Sequence, residues 1–315
     1  MPSPFCRDIN ENDIHRDRNT WMGLAAVLLW SSTIALARRL SEQLGPLTAG
    51  AAVYLVAGLL LASWRFRKER SLRPLGLLPR RYVYGCGALF VIYTVVLFVA
   101  LWLATDRIQT LEIGLLNYLW PAFTLLFSLF ILGHRAGIGL LPGTLLALFG
   151  MVLVLTEGAA VTWRSAAANV LGNPAAYGLG FLAAIAWALY SNLSRRWGPR
   201  DGDGAVWLFM LAAGIAFGLL GLASPEAGSW SAGATVEVLF LALATALAYV
   251  FWDRAMRGGD MVRVVAFSYL TPFFSTIVSC LYLGVLPGPS LWLGCLFIVG
   301  GSFLSRRSLS PAVMR

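Results

Sequence analysis

The chain has 315 residues, of which 58% are hydrophobic and only 12% charged, and its mean hydropathy is +0.73. Soluble domains average about 45–50% apolar and about 25% charged residues, so this composition excludes a soluble enzyme and indicates an all-α integral membrane protein. The net charge of +9, from 24 Lys+Arg against 15 Asp+Glu, lacks the aromatic interleaving of a nucleic-acid surface and reads as loop arginines facing membrane lipid.

Residues 1–20 mix Asp8, Glu11, Asp13 and Asp17 with arginines. A signal peptide needs a basic start leading into a short apolar core, so this segment is expected to be a mobile cytosolic tail. Ten apolar runs follow, at 21–37, 47–64, 82–104, 108–132, 138–156, 174–194, 205–223, 235–254, 262–284 and 289–305. A bilayer span needs about 20 such residues. Period-two alternation is absent, which excludes a transmembrane β-barrel. Gly45-Pro46, Gly133, Gly198-Pro199, Gly258-Gly259 and Pro287-Gly288-Pro289 mark the joints.

With the N-terminus inside, ten spans place twenty Lys+Arg in the inner loops and tails. Four lie outside: Arg38, Arg39, Arg107 and Arg164. That contrast supports the span count and an orientation with both termini in the cytoplasm, by the positive-inside rule. Residues 157–173 then form a periplasmic loop and 306–315 a second cytosolic tail.

The two halves echo each other. Trp30 precedes Arg38-Arg39 by eight and nine residues, and Trp187 precedes Arg195-Arg196 at the same spacing. Tyr118-Leu119-Trp120-Pro121 in the fourth span matches Tyr269-Leu270-Thr271-Pro272 in the ninth. Each leads at equal distance to a Leu-Gly, at Leu132-Gly133 and Leu283-Gly284. These echoes predict two five-helix repeats, 21–156 and 174–305. An odd number of spans per repeat inverts the second copy in the membrane. Inverted repeats accompany alternating access, with the substrate held near the midplane at the repeat interface.

Several residues are candidates for that site. Pro121 and Pro272 each lack a backbone donor and would kink their spans as paired hinges. Asn117, one residue before Tyr118, carries an amide at mid-membrane depth that must find a partner. Helix–helix adhesion is its alternative role. Ser31, Ser32 and Thr33 after Trp30, and Ser191 and Asn192 after Trp187 and Tyr190, form a repeated polar patch. Thr245, Tyr249 and Trp252 share one helical face, and Tyr93 with Thr94 lies at matching depth. Trp21, Trp64, Trp163, Trp197, Trp207 and Trp230 fit the interfacial belts of membrane proteins. The deeper rings, Trp30, Tyr93, Tyr118, Trp187, Tyr190, Tyr249, Trp252 and Tyr269, are candidates to line a cavity by stacking and hydrogen bonding. Core packing is the alternative for each.

No span centre carries an ionised side chain; Glu112, Asp253, Arg254 and Arg263 fall near span ends. This weakens a proton-coupled antiporter, which uses an intramembrane carboxylate, and a phosphate-ester carrier, which uses a buried cation. The histidines, His15 and His134, lie outside the spans, and no catalytic motif occurs. Neither a metal site nor a cofactor is expected. The four cysteines, Cys6, Cys86, Cys280 and Cys295, form no CxxC pair and read as small buried hydrophobes. The small-residue pairs Gly139/Gly143 and Gly214/Gly218 are expected to pack spans within a monomer, a dimer seam being the alternative.

Gly23 to Trp30, the Tyr-Leu-x-Pro and Leu-Gly elements, and Tyr249-x-x-Trp252 with Ala255-Met256 resemble the drug/metabolite transporter superfamily. The similar branch has ten helices in two EamA-type repeats, and the likeness covers about 21–305. His134 and Val285 stand where many members carry an acidic residue, and Tyr54 where many carry an arginine. Within the superfamily the chain looks most like the aromatic amino acid exporters. The resemblance implies a multi-pass protein of the bacterial inner membrane that exports small amphiphilic metabolites, aromatic and other neutral amino acids first. Other metabolites or drugs are the alternative within the superfamily, and a channel or scaffold the alternative outside it.

Overall fold

The structure is a computed structural model that describes residues 11–69, 76, 78–156, 162–199, 204–283 and 288–310. Thirteen helices are present among the described residues. They are α1 (Glu11–Leu44), α2 (Pro46–Glu69), α3 (Arg81–Trp102, opening with a π turn), α4 (Arg107–Asn117), α5 (Trp120–Ile131) and α6 (Leu140–Leu155). Then come α7 (Trp163–Gly172), α8 (Pro174–Trp197), α9 (Val206–Ala223), α10 (Ala232–Gly258), α11 (Met261–Ser268), α12 (Thr271–Leu283) and α13 (Pro289–Arg307). Two short strands, β1 (Arg135–Ala136) and β2 (Leu309–Ser310), pair antiparallel.

Helices dominate because lipid offers no partner for backbone N–H and C=O groups, and a helix satisfies them internally. Six helices are long and apolar enough to cross a membrane, or eight if each of two bent pairs is one span. Leu140–Leu155 is apolar but shorter. Large apolar side chains such as Phe130, Leu222, Phe240 and Leu296 face outward. An aqueous surface does not carry so much exposed apolar area; a lipid-facing one does. The protein is a multi-pass membrane protein.

Small residues let the interior helices approach. A Cβ on Gly150 of α6 would lie 2.5 Å from the Gly294 carbonyl of α13. One on Gly301 would lie 2.4 Å from the Ala147 amide. Gly139 and Gly143 pack against the same helix and Gly214 against Leu55, whereas nothing lies within 4 Å of a Cβ at Gly218. Three of those four glycines therefore pack helices within the chain.

The connections gather at two ends of the bundle. At one end Arg16, His134, Arg195, Asp260, Arg306 and Ser310 line a single cavity, and Arg65 donates to the Gly204 carbonyl. At the other end Glu226 accepts the amides of Leu47 and Thr48. Gln43 bonds Ser231 there, and Asn173 bonds Leu103 and Gln109.

Two expected loops contain helix. Residues 11–20 extend α1 instead of forming a tail, because Thr20 takes the Asp260 amide at 2.8 Å and Arg16 lies 3.6 Å from the Asp260 carboxylate. The 157–173 connection carries α7, started by a capping box between Thr162 and Ser165. Cys86 is buried and Cys295 half-buried. Cys6 and Val285 lie outside the described residues.

Candidate substrate site

The apolar helix faces bring most of the deep aromatic residues together. Trp30 of α1 contacts Trp187 of α8 and Tyr249 and Trp252 of α10, with ring centroids 5.8, 5.4 and 5.3 Å away. Tyr93 of α3 lies against Trp187 at 4.6 Å, and Tyr190 stacks on it at 5.0 Å. Trp252 donates its indole N–H to the Ser191 hydroxyl at 3.2 Å, fixing the ring. Such ring pairs are worth about 0.5–1.5 kcal/mol each beyond area burial.

A cavity of about 140 Å³ opens beside this cluster. Trp30, Tyr54, Tyr249 and Phe98 supply rings, while Thr33 and Thr245 supply hydroxyls. The Tyr54 and Tyr249 hydroxyls bond each other at 2.9 Å. Leu40 and Ser41, near the C-terminal end of α1, mark its position toward the end opposite the arginine-rich cavity. Ligand pockets of drug size run to about 300–1,000 Å³, so this conformation is constricted and a ligand of that size requires helix or side-chain movement.

Asn117 and Tyr118 occupy the break between α4 and α5. The Asn117 side chain faces the Tyr93 hydroxyl, and its Oδ1 is buried with no hydrogen-bond partner among the described residues. Such an orphan costs about 1–3 kcal/mol and is suited to accept from a ligand ammonium. Tyr118 and Tyr269 pack instead into a separate cluster around Ala147, Met151, Leu291 and Ile298. Tyr269 thus sits between α6 and α13 and not at the ring cluster. Its aromatic character made it look equivalent to the others; the difference lies in which helices it meets.

Pro121 and Pro272 are both buried, each second in its half-helix, α5 and α12. A first-turn proline gives up a donor that has no intrahelical acceptor anyway. The break is a two-residue turn at Tyr118-Leu119 and at Tyr269-Leu270, not a kink inside a continuous helix. Residues Arg107–Ile131 still pass as one span, whereas α11 and the first part of α12 are bent by 45°.

Sequence reasoning did not single out Phe90, which contacts Tyr249 at 4.8 Å, or Trp120, 5.3 Å from Trp252. Phe90 stands three residues before Tyr93, a helical-face spacing that would have revealed it, and Trp120 lies within the Tyr-Leu-Trp-Pro element itself. Buried charge also escaped notice. Asp253 pairs with Arg257 at 2.8 Å, both side chains nearly fully enclosed, and accepts from Tyr82 at 2.9 Å and Tyr190 at 3.4 Å. Glu112 accepts from the Tyr177 hydroxyl and from Asn169. Both carboxylates sit near helix ends, as expected, but inside the protein. Among the described residues no group of three or more His, Cys, Asp or Glu is placed to hold a metal ion.

The EamA-like transporter pattern matches twice, over residues 19–156 and 174–307. The chain belongs to the EamA-like transporter family. The two matches divide this EamA-like protein into halves, as the sequence echoes do. An Escherichia coli protein named aromatic amino acid exporter YddG is 30% identical over 92% of this chain and 97% of its own length. Proteins of the same name from Salmonella typhimurium and Ancylobacter novellus are each 32% identical, over 90% and 91% of this chain and 95% and 96% of their own. A solved crystal structure superposes with a TM-score of 0.77 at 28% identity, covering 92% of this chain and 97% of that one.

Proposed function

We propose that this EamA-like transporter exports aromatic and other neutral amino acids by alternating access. The observation that carries the reading is the cluster of Trp30, Tyr93, Trp187, Tyr190, Tyr249 and Trp252, contributed by both halves, beside a cavity edged with hydroxyls. The rings would stack on an aromatic side chain, and the Asn117 carbonyl oxygen would accept from the substrate ammonium. Relatives named aromatic amino acid exporters over almost the full length support the substrate class.

In this reading ten spans cross the inner membrane as inverted repeats, 21–156 and 174–305. Residues 1–20, of which 11–20 extend α1, and 306–315 are cytoplasmic, and the 157–173 connection with α7 is periplasmic. The small cavity then faces the periplasmic half, and the Asp253–Arg257 end closes the cytoplasmic half. Substrate moves as a small molecule through a monomer, down its gradient.

The test is efflux of labelled tryptophan, leucine and glucose 6-phosphate from proteoliposomes of pure protein. Saturable tryptophan efflux with no glucose 6-phosphate efflux is expected; equal flux of all three would overturn it in favour of a channel. Cysteines at 226–232 should label only from the periplasm and one at position 66 only from the cytoplasm. Outside labelling of position 66 would sink the ten-span topology.

A further inference from the structure

We propose that the cavity at the arginine-rich end of the bundle is a binding site for a phosphate group, separate from the aromatic site. The cavity measures about 400 Å³, nearly three times the volume of the aromatic one. Arg16, Arg195 and Arg306 line it together with His134 and Asp260. They come from α1, α8, α13 and the turns before β1 and α11, so distant parts of the chain converge on one hollow. The β1–β2 pairing forms one rim, with Arg135 opposite Ser310.

Three guanidiniums face one carboxylate, and that carboxylate is already engaged. Asp260 Oδ1 accepts the Arg263 amide at 3.0 Å as the cap of α11, and Oδ2 lies a loose 3.6 Å from Arg16. Arg195 donates to the carbonyls of Met256 and Gly259 at 3.0 and 2.9 Å, which holds its head against the cavity wall. Among the described residues Arg306 forms no ion pair. Among the described lining residues, therefore, Arg16 meets its carboxylate only loosely and Arg306 has no counter-ion. Guanidinium forks match phosphate oxygens in bidentate geometry and lose less than an ammonium on desolvation. A carboxylate ligand would offer two acceptor oxygens to these donors, whereas a phosphate offers more.

Cation–aromatic pairs flank the same end. Arg263 lies over the exposed Trp21 ring at 5.6 Å and Arg307 over Phe303 at 4.2 Å. Aromatic rings beside arginines mark the headgroup level of a membrane, which puts the hollow within reach of a lipid headgroup as well as of free phosphate.

The experiment measures the unfolding midpoint of the purified full chain in neutral detergent with three additions. These are phosphatidylglycerol, phosphatidylcholine, and inorganic phosphate against chloride of equal ionic strength. Site occupancy raises the midpoint by mass action. A rise with phosphatidylglycerol alone assigns a lipid headgroup; a rise with inorganic phosphate over chloride assigns free phosphate as well. The Arg16→Gln/Arg306→Gln variant should start near the wild-type midpoint, because both side chains are exposed, and should lose the rise. Arg306→Gln alone should lose part of it and Arg306→Lys less. No rise with either probe beyond its control, or an undiminished rise in both the double variant and Arg306→Gln, overturns the proposal.

Discussion

The rings of Trp30 and Trp187, which hold the same place in the two halves of the sequence, meet edge to face with centroids 5.8 Å apart. If the halves are inverted repeats, as proposed, residues related by the repeat can touch only near the axis that relates them, which would put the aromatic cluster on that axis. A site there would be seen alike from both membrane faces, as the proposed alternating access requires. The two rings nevertheless differ in burial: Trp187 is 2% exposed, while Trp30 is half-buried and lines the cavity.

That difference yields the first prediction. Trp187→Ala should cost about 3–5 kcal/mol, the usual range for emptying a core aromatic site, and lower the unfolding midpoint in detergent. Trp30→Ala should unfold close to wild type but weaken tryptophan binding roughly tenfold, through loss of one or two ring pairs. Trp30→Phe should keep most of the affinity. Tryptophan titrations of the three purified variants read the outcome; a Trp30→Ala variant that binds as wild type removes Trp30 from the site.

The buried ion pair supports the second prediction. Arg257 Nε donates to Asp253 Oδ2 at 2.8 Å, and the Tyr82 hydroxyl to Oδ1 at 2.9 Å. Arg257 also reaches the Pro199 carbonyl. These bonds tie α10, α3 and Pro199 at one end of the bundle. Removing one charge strands the other, at about 3–5 kcal/mol. Arg257→Leu should therefore lower the unfolding midpoint sharply, and Asp253→Leu/Arg257→Leu should recover much of it. Tyr82→Phe should fold normally yet loosen the tie, so that a cysteine beside Trp252 becomes more reactive from the arginine-rich side. Unchanged reactivity would make the pair a static brace.

Much of this was legible in the sequence, for physical reasons. Apolar runs of bilayer length and the asymmetry of loop arginines leave little freedom in which segments become helices and which connections share an end. The repeated Trp–Arg-Arg spacing pointed to the two rings that now meet. Side-chain partners across helices were not legible, because helix rotation and crossing are set by packing. Tyr269 turned to α6, and Tyr54 met Tyr249. Asp253 looked like a boundary residue by position along its span. Its burial depends on Tyr82 and Arg257 closing over it, which linear distance from a span end does not report. The prolines were legible as a repeated pair, but their place in the first turn of a new half-helix depends on the two-residue break before them.

His134 gives a pH prediction. Its Nδ1 lies 3.1 Å from the Ser128 hydroxyl oxygen, whose proton goes to the Leu125 carbonyl at 2.6 Å. The imidazole is therefore the donor in that pair. Burial first, then the positive charge of Arg195, lower its pKa from the ordinary 6.5, against an opposing effect of Asp260. A lowered histidine pKa means that the folded protein favours the neutral ring. The associated stability is fully present above pH 6.5 and is lost as pH falls through the lower folded value. Unfolding midpoints measured downward from pH 7.5 should drop more steeply in the wild type than in His134→Asn; identical slopes would show that His134 does not contribute.

The last prediction concerns the two broken helices. Each has a two-residue turn followed by a proline, at Tyr118-Leu119 before Pro121 and at Tyr269-Leu270 before Pro272. The two are not bent alike: residues 107–131 run as one span, and α11–α12 is bent by 45°. If one repeat adopts the bent form while the other stays straighter, exchanging the two forms would exchange the open face of an inverted-repeat carrier. Because each proline lies in a first turn, Pro→Ala should cost little global stability. Alanine restores a donor for the carbonyl four residues earlier, Asn117 or Ser268, and so favours the straight form. Pro272→Ala should shift the population away from the present conformation, and Pro121→Ala should hold it there. A bias of about 1.4 kcal/mol already depopulates the minor state tenfold, so both variants should lose tryptophan flux while keeping binding. Alkylation of a single cysteine beside Tyr93, applied from each side in proteoliposomes, distinguishes the directions. Normal flux in both variants, or the same directional shift in both, would mean that the breaks serve packing and that the exchange of bends is wrong.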